Sequence, residues 1–300
     1  MRILITGAGG FLGRHLVAQL GPQHELVAVS RRVPEPELAD LAKWVQCDLR
    51  ALDVGQLPAR IDAVIHLAQS SRYREFPGGA EDMFAVNVES TFRLLEYARA
   101  ASASAFALAS TGGIYGRSPT PVRETDPAQP TTFYFRSKLA AECLVDGYAD
   151  HFRTLTFRYF FIYGPGQERM LIPTLATKVI AGEEIVIEGD PGLRINPIYV
   201  DDAARIFEPA LMSAATGTFN VAGDEQVTIT ELVELIGDTA GERPLVRYAT
   251  ADAAGDLVAD VSRMREQLGV RPQVPLAEGL RSLVARATST SVRDVPSRLR

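Results

Sequence analysis

The chain has 300 residues, 46% hydrophobic and 23% charged with 24 Gly and 18 Pro, an ordinary globular composition with enough length to bury a large core. Its net charge of −6, with no cluster of Lys and Arg outside the C-terminal tail, argues against a nucleic-acid surface, where clustered cations must neutralise phosphates. Cys47 and Cys143 have neither metal-ligand nor CxxC spacing and read as reduced core residues; with no apolar run of membrane-spanning length, the expectation is a soluble, cytoplasmic protein without metal.

The first half alternates short β-branched runs with helical stretches, the pattern of an α/β doubly wound parallel sheet. Residues 2–6 (RILIT) read as a strand rather than a signal peptide, residues 7–13 as a glycine-rich turn, and residues 11–20 as a helix ending near Gly21 and Pro22. Strands follow at 25–30, 44–47 and 63–67. Residues 84–100 then read as one long helix, with Phe84, Val88, Phe92 and Leu95 on one face. A strand at 105–109, a helix at 137–149 and a strand at 155–160 complete this half. Gly164, Pro165 and Gly166 break the rhythm. Beyond them a helix at 172–181, a strand at 184–188 and further pieces to Leu268 suggest a smaller lobe over the carboxyl edge of the sheet. The expected division is a cofactor-binding domain over 1–163, with strands around 196–222 returning to it. A substrate-binding lobe would span 164–286, and 287–300 would be a disordered tail.

Residues 6–13 (TGAGGFLG) place Gly7, Gly10 and Gly13 between a strand and a helix. Gly7 permits the tight turn, Gly10 lets the backbone approach a pyrophosphate, and Gly13 lets the helix pack on the strand. The helix start at Phe11 and Leu12 supplies N–H groups and a positive dipole, which is the Rossmann cradle for a dinucleotide. At the end of the second strand an acidic residue would bind the ribose diol of NAD. Here Ser30, Arg31 and Arg32 stand there, which suits the 2′-phosphate of NADP, so NADP is preferred over NAD.

Tyr134 and Lys138 are four residues apart, so one helical turn puts both on one face, and an ammonium near a phenol favours the phenolate. Upstream, Ser110 and Thr111 end a strand at the carboxyl edge of a parallel sheet, where ligands bind. A hydroxyl there can bond a substrate carbonyl or carbinol oxygen.

Together these motifs resemble the extended short-chain dehydrogenase/reductase family, the NAD-dependent epimerase/dehydratase group, over residues 1–285. The carrying segments are TGAGGFLG (6–13), CDL (47–49), HLA (66–68), NVEST (87–91), STGGIYG (110–116), YFRSK (134–138), RYFFIYGPG (158–166), NPIYVDDAA (196–204) and the stretch 219–236. The resemblance implies Tyr134 as proton donor or acceptor, Lys138 as its pKa-lowering partner and ribose ligand, and Thr111 as the polarising hydroxyl. It implies that Asp48 and Leu49 meet the adenine, that Leu67, Ala68 and Gln69 flank ribose and phosphates, and that Tyr159 and Phe160 pack beside the nicotinamide. Asn87 supports the site from its helix, or serves structure alone. His66 reads as a satisfied core histidine, Asp201 and Asp202 as a helix cap and a structural pair, and Arg123 and Glu124 as solvated loop charges.

The departures bear on the substrate. Family members that dehydrate sugars carry Asp-Glu after the catalytic Thr; this chain has Gly112 and Gly113. Nucleotide-sugar members carry polar diphosphate ligands where Phe161, Ile195 and Ala253 stand, with Arg194 one residue off register. A diphosphate without partners would be costly to bury. The expected activity is therefore NAD(P)-dependent hydride transfer at a carbinol or ketone carbon of a sugar-like small molecule, with a deoxysugar 4-ketoreductase in view. The alternative is a nucleotide-sugar (UDP-hexose) 4-epimerase, and further off a non-catalytic cofactor-binding regulator. A homodimer is left open.

Overall fold

The computed structural model describes residues 1–250 and 255–293. In chain order it begins β1 (Arg2–Thr6), α1 (Phe11–Leu20), β2 (Glu25–Ser30), β3 (Lys43–Gln46) and β4 (Ala63–His66). It continues α2 (Ala80–Phe84), α3 (Ser90–Ala100), β5 (Ala105–Thr111), α4 (Phe133–Asp146), β6 (Arg153–Tyr159) and β7 (Ile162–Tyr163). Then come α5 (Leu171–Ile180), β8 (Glu184–Glu188), β9 (Arg194–Ile195), β10 (Ile198–Tyr199), α6 (Val200–Arg205) and α7 (Phe207–Met212). The last are β11 (Gly217–Val221), β12 (Val227–Thr228), α8 (Ile229–Ala240), β13 (Leu245–Ala249), α9 (Ser262–Leu268) and α10 (Leu276–Arg293).

Seven strands form one sheet in the order β11-β6-β5-β4-β1-β2-β3, every neighbouring pair parallel. The strand alternation sorts side chains between its two faces. Ile3, Ile5, Ala28 and Ile65 join one apolar cluster with Leu16 and Val17 of α1 and Phe207 of α7. Leu4, Val27, Val64, Phe106 and Leu108 join another with Leu94 and Leu95 of α3 and Val145 of α4. Because the chain runs outward from β1 to β3 and then returns to β4 on the other side of β1, the crevice at the carboxyl ends opens beside β1, at the switch point where ligands of such sheets bind. A third cluster joins Ile172 and Leu175 of α5, Leu232 and Ile236 of α8, and Leu280 of α10.

Several boundaries differ from the sequence expectation. The single helix expected over 84–100 is three pieces, α2, a π-helical turn over Ala85–Glu89, and α3. α4 starts four residues earlier than expected, because Thr132 caps it by accepting a bond from the Phe135 N–H. Cys143 is exposed rather than in the core. α10 continues to Arg293, so residues 287–293 belong to a helix whose core-facing side is set by Leu276, Leu280, Leu283 and Val284; residues 294–300 lie outside the described residues.

One buried ion pair fastens α4 to the sheet. Glu142 accepts from Arg158 of β6 at 2.7 Å and also from the Ser110 hydroxyl, and Arg158 donates onward to the Tyr115 phenol at 2.6 Å. Glu142→Ala would leave the guanidinium buried without its counter-ion. We expect a loss of about 3–5 kcal/mol in urea unfolding; a loss below about 1 kcal/mol, the range of exposed pairs, would show that the pair is not needed for folding.

Candidate active site

At the end of β1 the backbone of Gly7 turns through φ +70°, where a Cβ would lie 2.7 Å from the Ala68 nitrogen. The Gly10 N–H closes the turn on the Gly7 carbonyl at 2.9 Å, and Gly10 caps α1 with no side chain in the way. A Cβ at Gly13 would sit 2.2 Å from the Gly7 carbonyl oxygen, so only glycine lets α1 close on the turn. Gly9, not singled out from the sequence, faces only the Ser30 side chain, whose hydroxyl a Cβ there would meet at 2.4 Å.

This turn forms one end of a cavity of about 950 Å³. Gly7, Gly10, Phe11, Leu12 and Gly13 border it, and so do Ser30, Arg31 and Arg32 from the end of β2. Ser30 is buried, its hydroxyl accepting from the Arg32 N–H at 3.1 Å, while both arginines are exposed. Asp48 and Leu49 lie along the wall after β3; two-point bonding from Arg50 holds the Asp48 carboxyl below its usual range. Leu67, Ala68 and Gln69 follow from the end of β4, and Tyr159 and Phe160 from the end of β6. This is a cradle that fits a dinucleotide by shape: the glycines leave room for backbone approach, and the helix start faces no capping side chain.

At the other end, Thr111 and Tyr134 border the same cavity. Thr111 ends β5, and its Oγ1 accepts from the Gly113 N–H at 3.1 Å, which leaves its own proton to donate. Tyr134 stands in the first turn of α4 and donates to Gln69 Oε1 at 2.5 Å. Lys138 lies one turn on, 2% exposed, and donates to the Ala109 carbonyl at 2.6 Å. Burial lowers its pKa to about 8, against the pull of Glu142. The phenol does not follow the expected direction. Burial, and then the neighbouring Tyr73, push the Tyr134 pKa upward, while the Lys138 ammonium is committed to a backbone carbonyl.

Asn87 does not border the cavity. It sits in the π-helical turn, 1% exposed, accepting from the Ser70 N–H and donating to the Ser137 hydroxyl, each at 2.9 Å. Its amide is spent on holding the β4 loop to α4. His66 is a satisfied core histidine between Thr6 Oγ1 (2.6 Å) and Thr91 Oγ1 (3.1 Å), and burial drives its pKa to about 3. Asp201 pairs with His15 at 2.6 Å, and Asp202 pairs with Arg205 while accepting from the Gln273 and Val274 N–H groups at 2.9 Å. Arg123 is an exposed loop charge paired with Asp260, but Glu124 is half-buried and accepts from the Asn220 N–H of β11 at 2.7 Å.

Of the positions expected to differ from diphosphate ligands, Phe161 borders the cavity and holds φ +45°. Ile195 is fully buried in the third apolar cluster, Arg194 is exposed on β9 with its carbonyl accepting from the N–H of Leu257, which borders the cavity, and Ala253 lies outside the described residues. Sequence reasoning passed over Tyr73, Phe76, Phe133 and Phe135, and over Gly166, Gln167 and Met170 on the facing lobe, all of which border the cavity. Loops carry no periodicity; the sequence signal was the aromatic density around Tyr134.

A dinucleotide cradle at the switch point of a parallel sheet, continuous with a Thr, Tyr and Lys constellation, defines a nicotinamide-dependent enzyme of the extended short-chain dehydrogenase/reductase kind. The profile of the NAD dependent epimerase/dehydratase family matches residues 3–222, and the chain belongs to that family. It is 31% identical to a dTDP-4-dehydro-6-deoxy-D-allose reductase of Streptomyces sp, over 93% of each chain. It is 27% identical to the uncharacterized UDP-glucose epimerase YtcB of Bacillus subtilis (strain 168), over 96% of this chain and 98% of that one. The crystal structure of UDP-glucuronic acid 4-epimerase from Bacillus cereus in complex with NAD superposes with a TM-score of 0.87 at 25% identity, over 97% of this chain and 99% of that one. Among the described residues no helix is long and apolar enough to cross a membrane.

Gln69 gives the site a testable pH signature. By accepting the phenolic proton it favours neutral Tyr134, so removing it lowers the phenol pKa. A reduction needs that proton, so activity is present below the pKa and lost as pH rises through it. In Gln69→Leu the alkaline fall in kcat/KM, which reports the free enzyme where this bond is made, should move to lower pH by about half a unit to one unit, the equivalent of one net hydrogen bond. A pH–rate profile unchanged by the substitution would show that this bond does not set the protonation of Tyr134.

Proposed function

We propose that this enzyme reduces a ketone carbon of a sugar-like substrate, with a deoxysugar 4-ketoreductase as the best-supported particular reading. The observation that carries it is the meeting of Thr111 and Tyr134 in one cavity with the glycine turn, with Lys138 buried one turn along the same helix. When bound, the nicotinamide supplies the hydride or takes it up. Tyr134 gives its proton to the substrate oxygen as the carbonyl becomes a carbinol. Thr111, oriented by the Gly113 N–H, donates to the same oxygen and holds the developing charge. Lys138, whose ammonium rests on the Ala109 carbonyl, is the ribose ligand that the family resemblance implies. The second lobe is the substrate-binding part, supported by Gly166, Gln167, Met170 and Leu257 bordering the same cavity. Two unpaired thiols are in keeping with a cytoplasmic enzyme.

Dehydration is disfavoured by the space after Thr111. A Cβ at Gly112 would lie 2.3 Å from the Phe160 ring and one at Gly113 2.2 Å from the Phe135 ring, so neither position has room for an acid or a base. A nucleotide-sugar 4-epimerase is the second reading, favoured by the likeness to YtcB and to the Bacillus cereus epimerase. The intact Thr111, Tyr134 and Lys138 speak against a non-catalytic regulator. For the cofactor we favour NADP(H), since two exposed guanidiniums and no carboxylate follow β2 at the cavity wall. The NAD dependent family and the NAD in the Bacillus cereus complex favour NAD instead.

Tyr134→Phe should lower kcat on a nucleotide-linked 4-keto-6-deoxyhexose by a factor of about a hundred or more, with cofactor affinity nearly unchanged. Activity within a few-fold of wild type would take Tyr134 out of the mechanism, and brisk interconversion of UDP-glucose and UDP-galactose by the wild type would make the epimerase reading the right one.

The double substitution Arg31→Ala and Arg32→Ala should weaken NADP(H) by about tenfold or more, the worth of one charge-assisted contact, and leave NAD(H) unchanged. Calorimetric titration of both cofactors decides it: an equal effect on the two, or tighter NAD(H) in the wild type, means that the arginines serve solvent.

A further inference from the structure

The loop after β4 presents aromatic rings to the cavity while its charges are spent on one another. Arg72 pairs with Glu75 at 2.7 Å, the Ser70 hydroxyl bonds Asp82 at 2.5 Å, and Ser70 Oγ also accepts from the Arg72 N–H at 3.1 Å. Gly79 closes the loop base, where a Cβ would lie 2.8 Å from the Arg72 carbonyl oxygen. The loop is thus internally tied, and beyond Ser70 and Ser71 what faces the cavity is Tyr73, Arg74 and Phe76.

These rings form two groups, of which the first is a row that begins at the reacting centre. Tyr73 leans on Tyr134 with centroids 5.4 Å apart, and Tyr134 on Phe135 at 5.5 Å. Farther out, Phe76 stacks on Phe133 at 5.2 Å with planes 22° apart, although Phe76 is 62% exposed. Across the gap, the Tyr73 hydroxyl donates to Met170 Sδ at 3.2 Å, which joins the row to the start of α5 in the second lobe. Arg74 lies over the outer face of Tyr73, 5.2 Å from its centroid, as a cation on a ring.

Large, mostly exposed aromatic rings bordering a cavity mark a ligand surface. A flat apolar group packs on such rings by offset-stacked or edge-to-face contact. We infer that the substrate carries an aryl or unsaturated acyl substituent, placed on the side of the reacting carbon that faces the loop after β4 and seated on Tyr73, Phe76 and Phe133. This rests on the reading of Tyr134 as the reacting centre. It also fixes an order of reactions, because the step that attaches the apolar group precedes the reduction.

The test uses the full chain with cofactor bound and compares phenyl and methyl glycosides of one 6-deoxyhexose by calorimetry. The phenyl glycoside should bind about tenfold tighter or more, the worth of one good aromatic contact. Phe76→Ala, which removes a mostly exposed side chain and spares the fold, should bring the two to within about threefold of each other. Phe133→Leu should act in the same direction. Equal affinity for the two glycosides, no detectable phenyl binding, or a preference that survives in both variants overturns the proposal. Failure of the underlying reading looks different: ketone reduction is then absent, or unaffected by Tyr134→Phe, whichever glycoside binds.

Discussion

The site depends on one buried cation. Lys138 is enclosed in the protein with its ammonium on the carbonyl of Ala109, two residues before Thr111. A buried charge is tolerable only with partners, and that carbonyl, with Glu142 one turn along the helix, supplies them. Satisfying the charge fixes the start of α4 against the end of β5, which puts Tyr134 and Thr111 on one cavity. The field of Lys138 reaches farther. It adds to the burial that keeps His66 neutral, near pKa 3. Neutral His66 can then bridge two hydroxyls. Thr91 Oγ1 gives its proton to the Asn87 carbonyl, so it accepts from His66 Nε2, and His66 Nδ1 accepts from Thr6. From Asn87 the chain of bonds runs to the Ser137 hydroxyl and on to the backbone carbonyl of Tyr134. A continuous buried polar path therefore joins the end of β1, where the glycine turn starts, to the residue carrying the phenol.

What the sequence disclosed follows from what repeats. The sheet was legible because its inward residues alternate, as Ile3, Leu4 and Ile5 do between two clusters. The glycine turn was legible because Gly7 and Gly13 stand where no other residue fits. The polar path was not. The apolar spacing from Phe84 to Leu95 is continuous at the helical period, so nothing in it shows that the backbone widens to a π-helical turn and faces the Asn87 amide inward. The direction of the Tyr134 shift was missed for a related reason. Spacing places Lys138 on the same helix, but only packing reveals that its ammonium is held by Ala109 and that burial governs the phenol. The facing lobe contributes Met170 and Gly166 from irregular backbone, where no period exists to be read.

The substrate side of the cavity is shaped by places where the backbone accepts something unusual. Gly112 and Gly113 give up side chains, and the rings of Phe160 and Phe135 fill the space. Phe161 holds a left-handed conformation that a bulky residue adopts at a cost of about 1–3 kcal/mol. Its neighbours hold it there: the Phe160 N–H bonds the Val221 carbonyl at 3.0 Å, and the Phe161 carbonyl accepts from the Ile198 N–H at 3.3 Å. Strain of this size persists only where the surroundings over-determine it, and here β11 and β10 do so from either side. Three rings from two segments, Phe135 of α4 and the consecutive Phe160 and Phe161 after β6, thereby flank the reacting end with apolar surface. Such a wall cannot repay the water lost by a hydroxyl or a phosphate oxygen, so it selects by withholding partners rather than by offering them. The space that an acid or a base after Thr111 would need is taken by the Phe160 and Phe135 rings, so the reading of this chain as a reductase or epimerase rather than a dehydratase rests on two glycines and the rings that cover them.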